Sequence, residues 1–356
     1  MLAHDMMRHN RLLYPILEKE LAALFSKMRI EDLFLYKHEV ELLFAQYVGV
    51  SLCSFVDSGT TALYLACNLA GVKDGDEVAL PILSWPSTVA AVVACKAVPR
   101  FFDIKQDCTI NEELVLSATP MKVVVPVHMY GHAAAVHPFL LKQMLVIEDC
   151  CQAHGTKINE KMVGTFGQYS AFSFDPYKTI SSVGTGGALL YRRKEEKEAI
   201  RSLLSIEKAD PKVLSFHRTP GKMSYTDMAV LKAKLKCSPL IEKKKRQCME
   251  RYEQRLDGSS VQIIKDTREV NSIRQSYLVY VPKRDGVLSF LEQQSILCKK
   301  PYSPLSKIPL FAPYCRDQSF PQADRYTNEA LILPLFPLME PKEVDVVCDA
   351  LLSFFR

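Results

Sequence analysis

Hydrophobic positions change their period several times along the chain, and each change marks an element. Over the first 50 or so residues they recur at helical spacing. Leu17, Leu21, Leu24 and Phe25 form one set, Val40, Leu43, Phe44 and Tyr47 another, and both predict helices. From Ser51 short apolar runs alternate with amphipathic stretches. LCSFV leads through Asp57-Ser58-Gly59-Thr60 into a helical pattern, TALYLACNLAGV, with Gly71 near its end where a left-handed cap belongs. EVALPIL, RFFDI, KVVVPVHMY and MLVIED are further strand candidates, short and rich in Val, Ile and Leu. Segments able to cross over separate most of them. The alternation predicts an α/β fold: a three-layer α/β/α large domain around a mostly parallel sheet.

The pattern changes after about Gly221. A charged helical stretch runs over roughly 226–256, with Met228, Leu231 and Leu235 on its apolar face, and Pro239 is expected to split or kink it. SYLVYVP, a helix around 287–294, a Pro-rich stretch and a closing helix from Pro341 follow. This region reads as a smaller α+β domain. The expected division is 1–240 and 241–356.

Composition narrows the class. With 356 residues, 48% hydrophobic and 24% charged, the chain has the make-up of a folded protein. The net charge of +5 comes without a basic stripe interleaved with aromatics, so no nucleic-acid partner is expected. Lys243-Lys244-Lys245-Arg246, flanked by Glu242 and Glu250, reads as a solvated helix face. The eleven cysteines are scattered, with no C-x-x-C pair and no histidine at zinc spacing, which predicts reduced thiols and no metal. Charges interrupt the N-terminal segment, so it does not read as a signal peptide. No run of about 18 apolar residues offers a membrane span. The expected location is the cytoplasm.

The chemistry concentrates in 146–190, VIEDCCQAHGTKINEKMVGTFGQYSAFSFDPYKTISSVGTGGALL. An acidic pair, Glu148-Asp149, ends an apolar run. Ser173 and Lys178 stand five positions apart, and Gly184-Thr185-Gly186-Gly187 follows. Desolvation among small and hydroxyl residues would make the lysine amine available as a nucleophile. A carboxylate at a strand's C-terminal end lies where ligands bind in open α/β sheets; the same position also suits a helix cap or a surface carboxylate. Asp57-Ser58-Gly59-Thr60-Thr61 places hydroxyls and N–H groups at a helix start, as an anion site or as an ordinary N-cap. Trp85, the only tryptophan, follows a strand candidate, where it could stack on a flat ring or fill a core or interface. Lysine, carboxylate and phosphate turn together are what pyridoxal phosphate requires of a protein.

The order SGT-T-AL, GDEVALP with SWPST, PVHMYGH, IEDCCQAHG, GTFG, FSFDPYK and GTGG resembles that of the DegT/DnrJ/StrS family. These are pyridoxal-phosphate-dependent sugar aminotransferases of the aspartate aminotransferase fold, fold type I. The resemblance runs through KPYSPL and FPQADRYTNEALILPLFP to the closing helix. It implies that Lys178 holds the cofactor as an imine and that Asp149 partners the pyridine nitrogen. It makes Gln152 a neighbour of the ring, Ser173 a phosphate ligand, Gly59 and Thr60 the phosphate turn, and Trp85 the stacked aromatic. It further implies an amino-acid donor, L-glutamate, a nucleotide-linked keto-sugar acceptor in polysaccharide or secondary-metabolite synthesis, and a homodimer with shared active sites. Sugar dehydratases among the relatives carry histidine in place of the lysine; Lys178 separates this chain from them. A non-catalytic binding or regulatory paralogue is the other alternative.

The chain also departs from the family pattern. Gly221-Lys222-Met223-Ser224-Tyr225-Thr226-Asp227 stands for G-x-N-x-R-M-x-D, one residue shorter, with Lys222 and Ser224 as approximate counterparts of groups that reach a phosphate across the dimer. Pro301-Tyr302-Ser303-Pro304-Leu305-Ser306 replaces H-Y-x-P-x-H, so Pro301 and Ser306 stand where histidines are usual. Ala133-Ala134-Ala135 fills the region of a usual acidic residue. The cofactor half is intact and the substrate rim is altered.

Overall fold

The computed structural model describes residues 6–26, 29–204, 221–266, 270–315 and 318–356. The strands are β1 (Leu52–Val56), β2 (Glu77–Pro81), β3 (Val98–Phe102), β4 (Val123–Val124), β5 (Leu145–Asp149), β6 (Lys157–Ile158), β7 (Lys161–Met162), β8 (Tyr169–Ser173), β9 (Gly187–Tyr191), β10 (Gln262–Ile263), β11 (Tyr277–Tyr280) and β12 (Ala330–Leu333). The helices are α1 (Met6–Phe25), α2 (Ile30–Val48), α3 (Gly59–Leu69), α4 (Pro86–Ala94), α5 (Glu112–Ser117), α6 (His137–Leu141), α7 (Glu196–Leu204), α8 (Tyr225–Leu256), α9 (Arg284–Gln293), α10 (Pro321–Glu329) and α11 (Pro341–Ser353).

Seven strands form one sheet in the order β1-β9-β8-β5-β4-β2-β3. All pairings are parallel except those of β9, which lies antiparallel between β1 and β8. The expected three-layer α/β fold is present. Strand alternation divides the side chains between two cores. Val56, Ala171 and Leu189 join the layer that contains Leu63 and Leu65 of α3 and Val89 and Val92 of α4. Their neighbours Phe55, Phe172 and Leu190 join the layer of Phe44 from α2 and Met228 and Leu231 from α8. Strands β1, β8 and β9 are therefore buried on both faces, which is why such segments read as continuous apolar runs, whereas the edge strand β3 is partly exposed.

A third core gathers Tyr252 and Leu256 of α8, Tyr277 and Val279 of β11, Leu331 and Leu333 of β12, and Val344, Val347 and Leu351 of α11. It covers one face of the antiparallel sheet β10-β11-β12, while Leu278, Tyr280 and Ala330 on the other face join the first core. Helix α8 contributes Met228, Leu231, Leu235 and Ile241 to the large-sheet layer and Cys248, Tyr252 and Leu256 to the C-terminal core.

Several expectations change on contact with the structure. Helix α8 runs unbroken through Pro239 for 32 residues. KVVVPVHMY forms strand only at Val123–Val124, because Pro126 lacks an N–H and the chain then turns at Tyr130, φ +55°. Phe25 is 62% exposed, although Leu24 beside it is buried. Gly71 does adopt the left-handed conformation, φ +70°, past the end of α3. The basic run is not a solvated face: Lys245 is 1% exposed, on the same side of α8 as Ile241, Cys248 and Tyr252. Lys244 bonds Glu340 at 2.9 Å, and Arg246 bonds Asn271. The helix is covered on more than one side, so charge run alone misjudges it.

Candidate active site

The C-terminal ends of β1, β5 and β8 and the loop after β8 converge on a cavity of 770 Å³, a size typical of small-molecule sites. Gly59, Thr60, Trp85, Asp149, Gln152, Ser173 and Lys178 all line it. Seven of the eight residues singled out from sequence thus meet in one place. Lys222 does not; it is exposed on the segment leading to α8, outside the cavity of its own chain.

Asp149 is the last residue of β5, buried and tightly held. Its Oδ2 accepts a hydrogen bond from Thr88 Oγ1 at 2.7 Å, and its Oδ1 accepts the N–H of Cys151 at 3.1 Å. Thr88 in turn accepts from Ser84 Oγ at 2.6 Å. The carboxylate is therefore oriented before any ligand arrives. Glu148, its neighbour, is spent elsewhere. It accepts the N–H groups of Gly164, Phe166 and Gly167 at 2.8, 2.9 and 2.6 Å and faces His128 Nε2 at 3.1 Å. Burial raises its pKa, but His128 and these N–H groups outweigh that and hold it below the usual carboxylate range.

The turn at the end of β1 opens α3. Ser58 caps the helix, its Oγ accepting the N–H of Thr61 at 3.2 Å. The N–H groups of Gly59 and Thr60 lie ahead of the intrahelical ladder, where helices offer donors to anions. A side chain at position 59 would place Cβ 2.7 Å from Cys151 Sγ and 3.0 Å from Ser173 Cβ, so glycine is required for this close approach. The glycines of the 184–187 turn are likewise there for proximity, since none has a positive φ; a Cβ on Gly187 would lie 2.4 Å from the Ser58 carbonyl.

Lys178 stands half-buried on the loop between β8 and β9. Its backbone N–H bonds the Asp175 carbonyl at 2.9 Å. Its small and hydroxyl sequence neighbours predict a desolvated amine; in the structure the stretch just after it, 179–182, is the fully buried part. Gln152 accepts the N–H of Tyr130 through Oε1 at 3.0 Å, which fixes its amide. Trp85 precedes Pro86 at the start of α4, is 50% exposed, and meets Tyr302 edge-on at 5.0 Å.

Tyr130, Tyr302, Thr88, Lys299 and Lys300 were not singled out from sequence. Tyr302, Thr88 and both lysines line the cavity. Tyr130 stacks on Tyr302 at 5.4 Å, and its hydroxyl oxygen accepts the Tyr302 N–H at 3.0 Å and the Tyr326 hydroxyl at 2.9 Å. Burial pushes the Tyr130 phenol well up, so it stays neutral. Thr88 and Tyr130 stand inside the quoted blocks SWPST and PVHMYGH, but their partners are distant in sequence. Among the altered positions, Ser224 caps α8 through the N–H of Asp227 at 3.0 Å, and Ala133, Ala134 and Ala135 are buried.

The donor set fits pyridoxal phosphate. A fixed carboxylate, an amine and a glycine-opened helix start with adjacent hydroxyls suit its ring nitrogen, aldehyde and phosphate respectively. Fold and site thus define an α/β enzyme of the pyridoxal-phosphate type. The model of the DegT/DnrJ/EryC1/StrS aminotransferase family matches residues 19–352, and the chain belongs to this family. Among curated relatives it is 29% identical over 353 residues to GDP-perosamine synthase of Vibrio cholerae, covering 90% of this chain and 91% of that one. It is 30% identical to dTDP-3-amino-3,4,6-trideoxy-alpha-D-glucose transaminase of Micromonospora megalomicea subsp. nigra, with 87% of each covered. The S. venezuelae DesV structure shares the fold at TM-score 0.90 and 24% identity, covering 98% of this chain and 97% of that one. The protein is accordingly an aminotransferase dependent on pyridoxal phosphate.

Proposed function

We propose that the protein moves an amino group from an amino acid, L-glutamate, to a keto-sugar carried on a nucleotide, in polysaccharide or secondary-metabolite synthesis. The observation that carries this reading is the joint placement of Lys178, Asp149, Gln152, Ser173, Gly59 and Thr60 around one cavity. The named activities of the two curated relatives, both on nucleotide-linked aminosugars, support the acceptor class.

Bound there, pyridoxal phosphate supplies a carbonyl carbon that takes up an amino group and a protonated ring that withdraws electrons. Gly59, Thr60 and Ser173 would hold the phosphate, and Asp149, fixed by Thr88 and the Cys151 N–H, would keep the ring nitrogen protonated. Trp85 and Gln152 would border the ring. Lys178 Nζ would anchor the cofactor and, as a free amine, would act as the base and acid that carries the proton leaving the donor's α-carbon to the cofactor carbon in one half of the reaction. In the other half it would carry a proton in the reverse sense, to the acceptor's carbonyl carbon. Trp85 and Tyr302, edge-on to each other in the cavity lining, would limit water beside the ring.

The active unit is read as a homodimer, with Lys222 reaching the partner's phosphate site. Residues 241–356 are read as a small domain. No helix among the described residues is long and apolar enough to cross a membrane, and we read the protein as cytoplasmic, with no nucleic-acid partner. The test is incubation of purified protein and cofactor with labelled glutamate and a panel of nucleotide-linked keto-sugars, read by mass spectrometry. Labelled aminosugar and 2-oxoglutarate are expected from wild type, and neither from Lys178→Ala. Cofactor uptake without amino transfer to any sugar would overturn the acceptor class.

A further inference from the structure

Two lysines of α8 are buried with no carboxylate beside them among the described residues, and both point at the loop that carries Lys178. Lys234 is 3% exposed and Lys245 1%. Lys245 Nζ donates to Thr179 Oγ1 at 3.1 Å, and Lys234 Nζ donates to Ser181 Oγ at 2.6 Å. Those hydroxyls belong to the first and third residues after Lys178. Thr179, Ile180, Ser181 and Ser182 are all buried. Ser182 is fixed in addition through its N–H and Oγ, both bonded to the Phe174 carbonyl, at 2.7 and 2.8 Å.

Burying an ammonium against a single hydroxyl is unfavourable, and an apolar residue of the same length would suit these positions better for stability alone. Burial brings Lys245 down to about 7 and Lys234 to about 8. His154, on the segment that follows Asp149, is packed against Phe172 at 5.4 Å and Phe174 at 6.0 Å. Burial, then Lys178 and Lys245, lowers it to about 3. His154 therefore stays neutral and adds no second positive charge beside Lys245, and both Lys245 and Lys178 act on it. A costly pair of amines aimed at one short stretch points to a role in that stretch.

We propose that Lys245 and Lys234 are positioning residues that hold 179–182 against α8, so that Lys178 is presented to the cavity. The role assigned to Lys178 is that of the preceding reading. The geometry of the hold does not depend on the cofactor. Methionine at either position keeps the length and removes the donor. Loss of the hold loosens the loop while the fold as a whole gains stability.

The test is hydrogen exchange and thermal melting of the cofactor-free protein for Lys245→Met, Thr179→Val, Thr179→Ser and the Lys245→Met/Thr179→Val pair. For Lys245→Met we expect amides over 174–186 to exchange about fivefold faster or more while the melting temperature rises by about 3 °C or more. Thr179→Val should exchange faster but melt lower, since it leaves a buried amine without a partner, and Thr179→Ser should match wild type. The double variant should exchange no faster than Lys245→Met alone. In the loaded enzyme Lys245→Met should lower kcat about tenfold with KM for the donor little changed. Unchanged or slower exchange over 174–186, or additive effects in the double variant, overturns the proposal. If wild type takes up no cofactor while the exchange pattern holds, the reading of the active site fails and the positioning hold stands.

Discussion

Glu148 and Asp149 are consecutive in β5, yet their carboxylates serve opposite sides of the sheet. Glu148 closes the 164–167 turn with three N–H groups, whereas Asp149 reaches Thr88 and the cavity. Alternation along the strand makes the first structural and the second available for chemistry.

Substitution should separate the two roles. Glu148→Ala leaves three buried donors and His128 without an acceptor, and should destabilise the fold by about 3–5 kcal/mol. Glu148→Gln should cost less, and its deficit should depend on pH. The folded Glu148 carboxyl lies below its ordinary value of 4.5, so its contribution is present above that pH and is lost as pH falls through the folded value. Asp149→Asn should melt close to wild type while transamination falls about a hundredfold or more. Chemical denaturation beside steady-state rates checks both; equal stability losses at the two positions would contradict the division.

Thr88 tests how far Asp149 depends on its support. Thr88→Val removes the donor to Oδ2 and keeps the shape. A hydrogen bond to a charged group contributes about 1.5–3 kcal/mol, so kcat/KM should fall roughly ten- to a hundredfold. Thr88→Ser keeps the hydroxyl and should stay within about threefold. A Val variant as active as wild type would show that Asp149 needs no such orientation.

Legibility followed locality. Gly59, Thr60, Asp149, Gln152, Ser173 and Lys178 sit on turns and strand ends whose patterns are short, and they converge as expected. The three-layer architecture was readable because its inner strands are buried on both faces. Tyr130 was not, because its partners Tyr302 and Tyr326 are 172 and 196 residues away. Lys245 read as solvent-facing because neighbouring charges say nothing of which helix faces are covered. The unbroken passage of α8 through Pro239 depends on packing from both cores, which outweighs the local preference of proline.

At Gly59 the fit is steric. Gly59→Ala puts a methyl 2.7 Å from Cys151 Sγ and 3.0 Å from Ser173 Cβ, so the start of α3 must shift away from the end of β8. Cofactor affinity should drop about tenfold or more and the fold should lose about 1–3 kcal/mol, because the overpacking falls where the phosphate is expected. Adding Cys151→Ala removes the nearest atom and should restore part of the affinity. Equilibrium binding of pyridoxal phosphate measures both variants. If the second substitution restores nothing, the sulfur contact is not what limits the site.

Lys245 yields a pH signature of its own. Its folded value of about 7 lies below the ordinary 10.5 because the amine is buried; Cys248 offsets this slightly, and Thr179 is its hydrogen-bond partner. Below about 7 the folded protein carries the full penalty of a buried ammonium. Between about 7 and 10.5 the unfolded chain binds more protons than the folded one, so stability rises with pH through that window. Lys245→Met has no such penalty and should be the more stable protein at pH 7, by on the order of a few kcal/mol. Its advantage should shrink steadily toward pH 9.5. Lys234→Met should behave alike, with the narrowing starting near 8. Urea unfolding of wild type and both variants across pH 6.5–9.5 reads these differences directly. A gap that stays constant across the range would mean that neither amine changes protonation on unfolding.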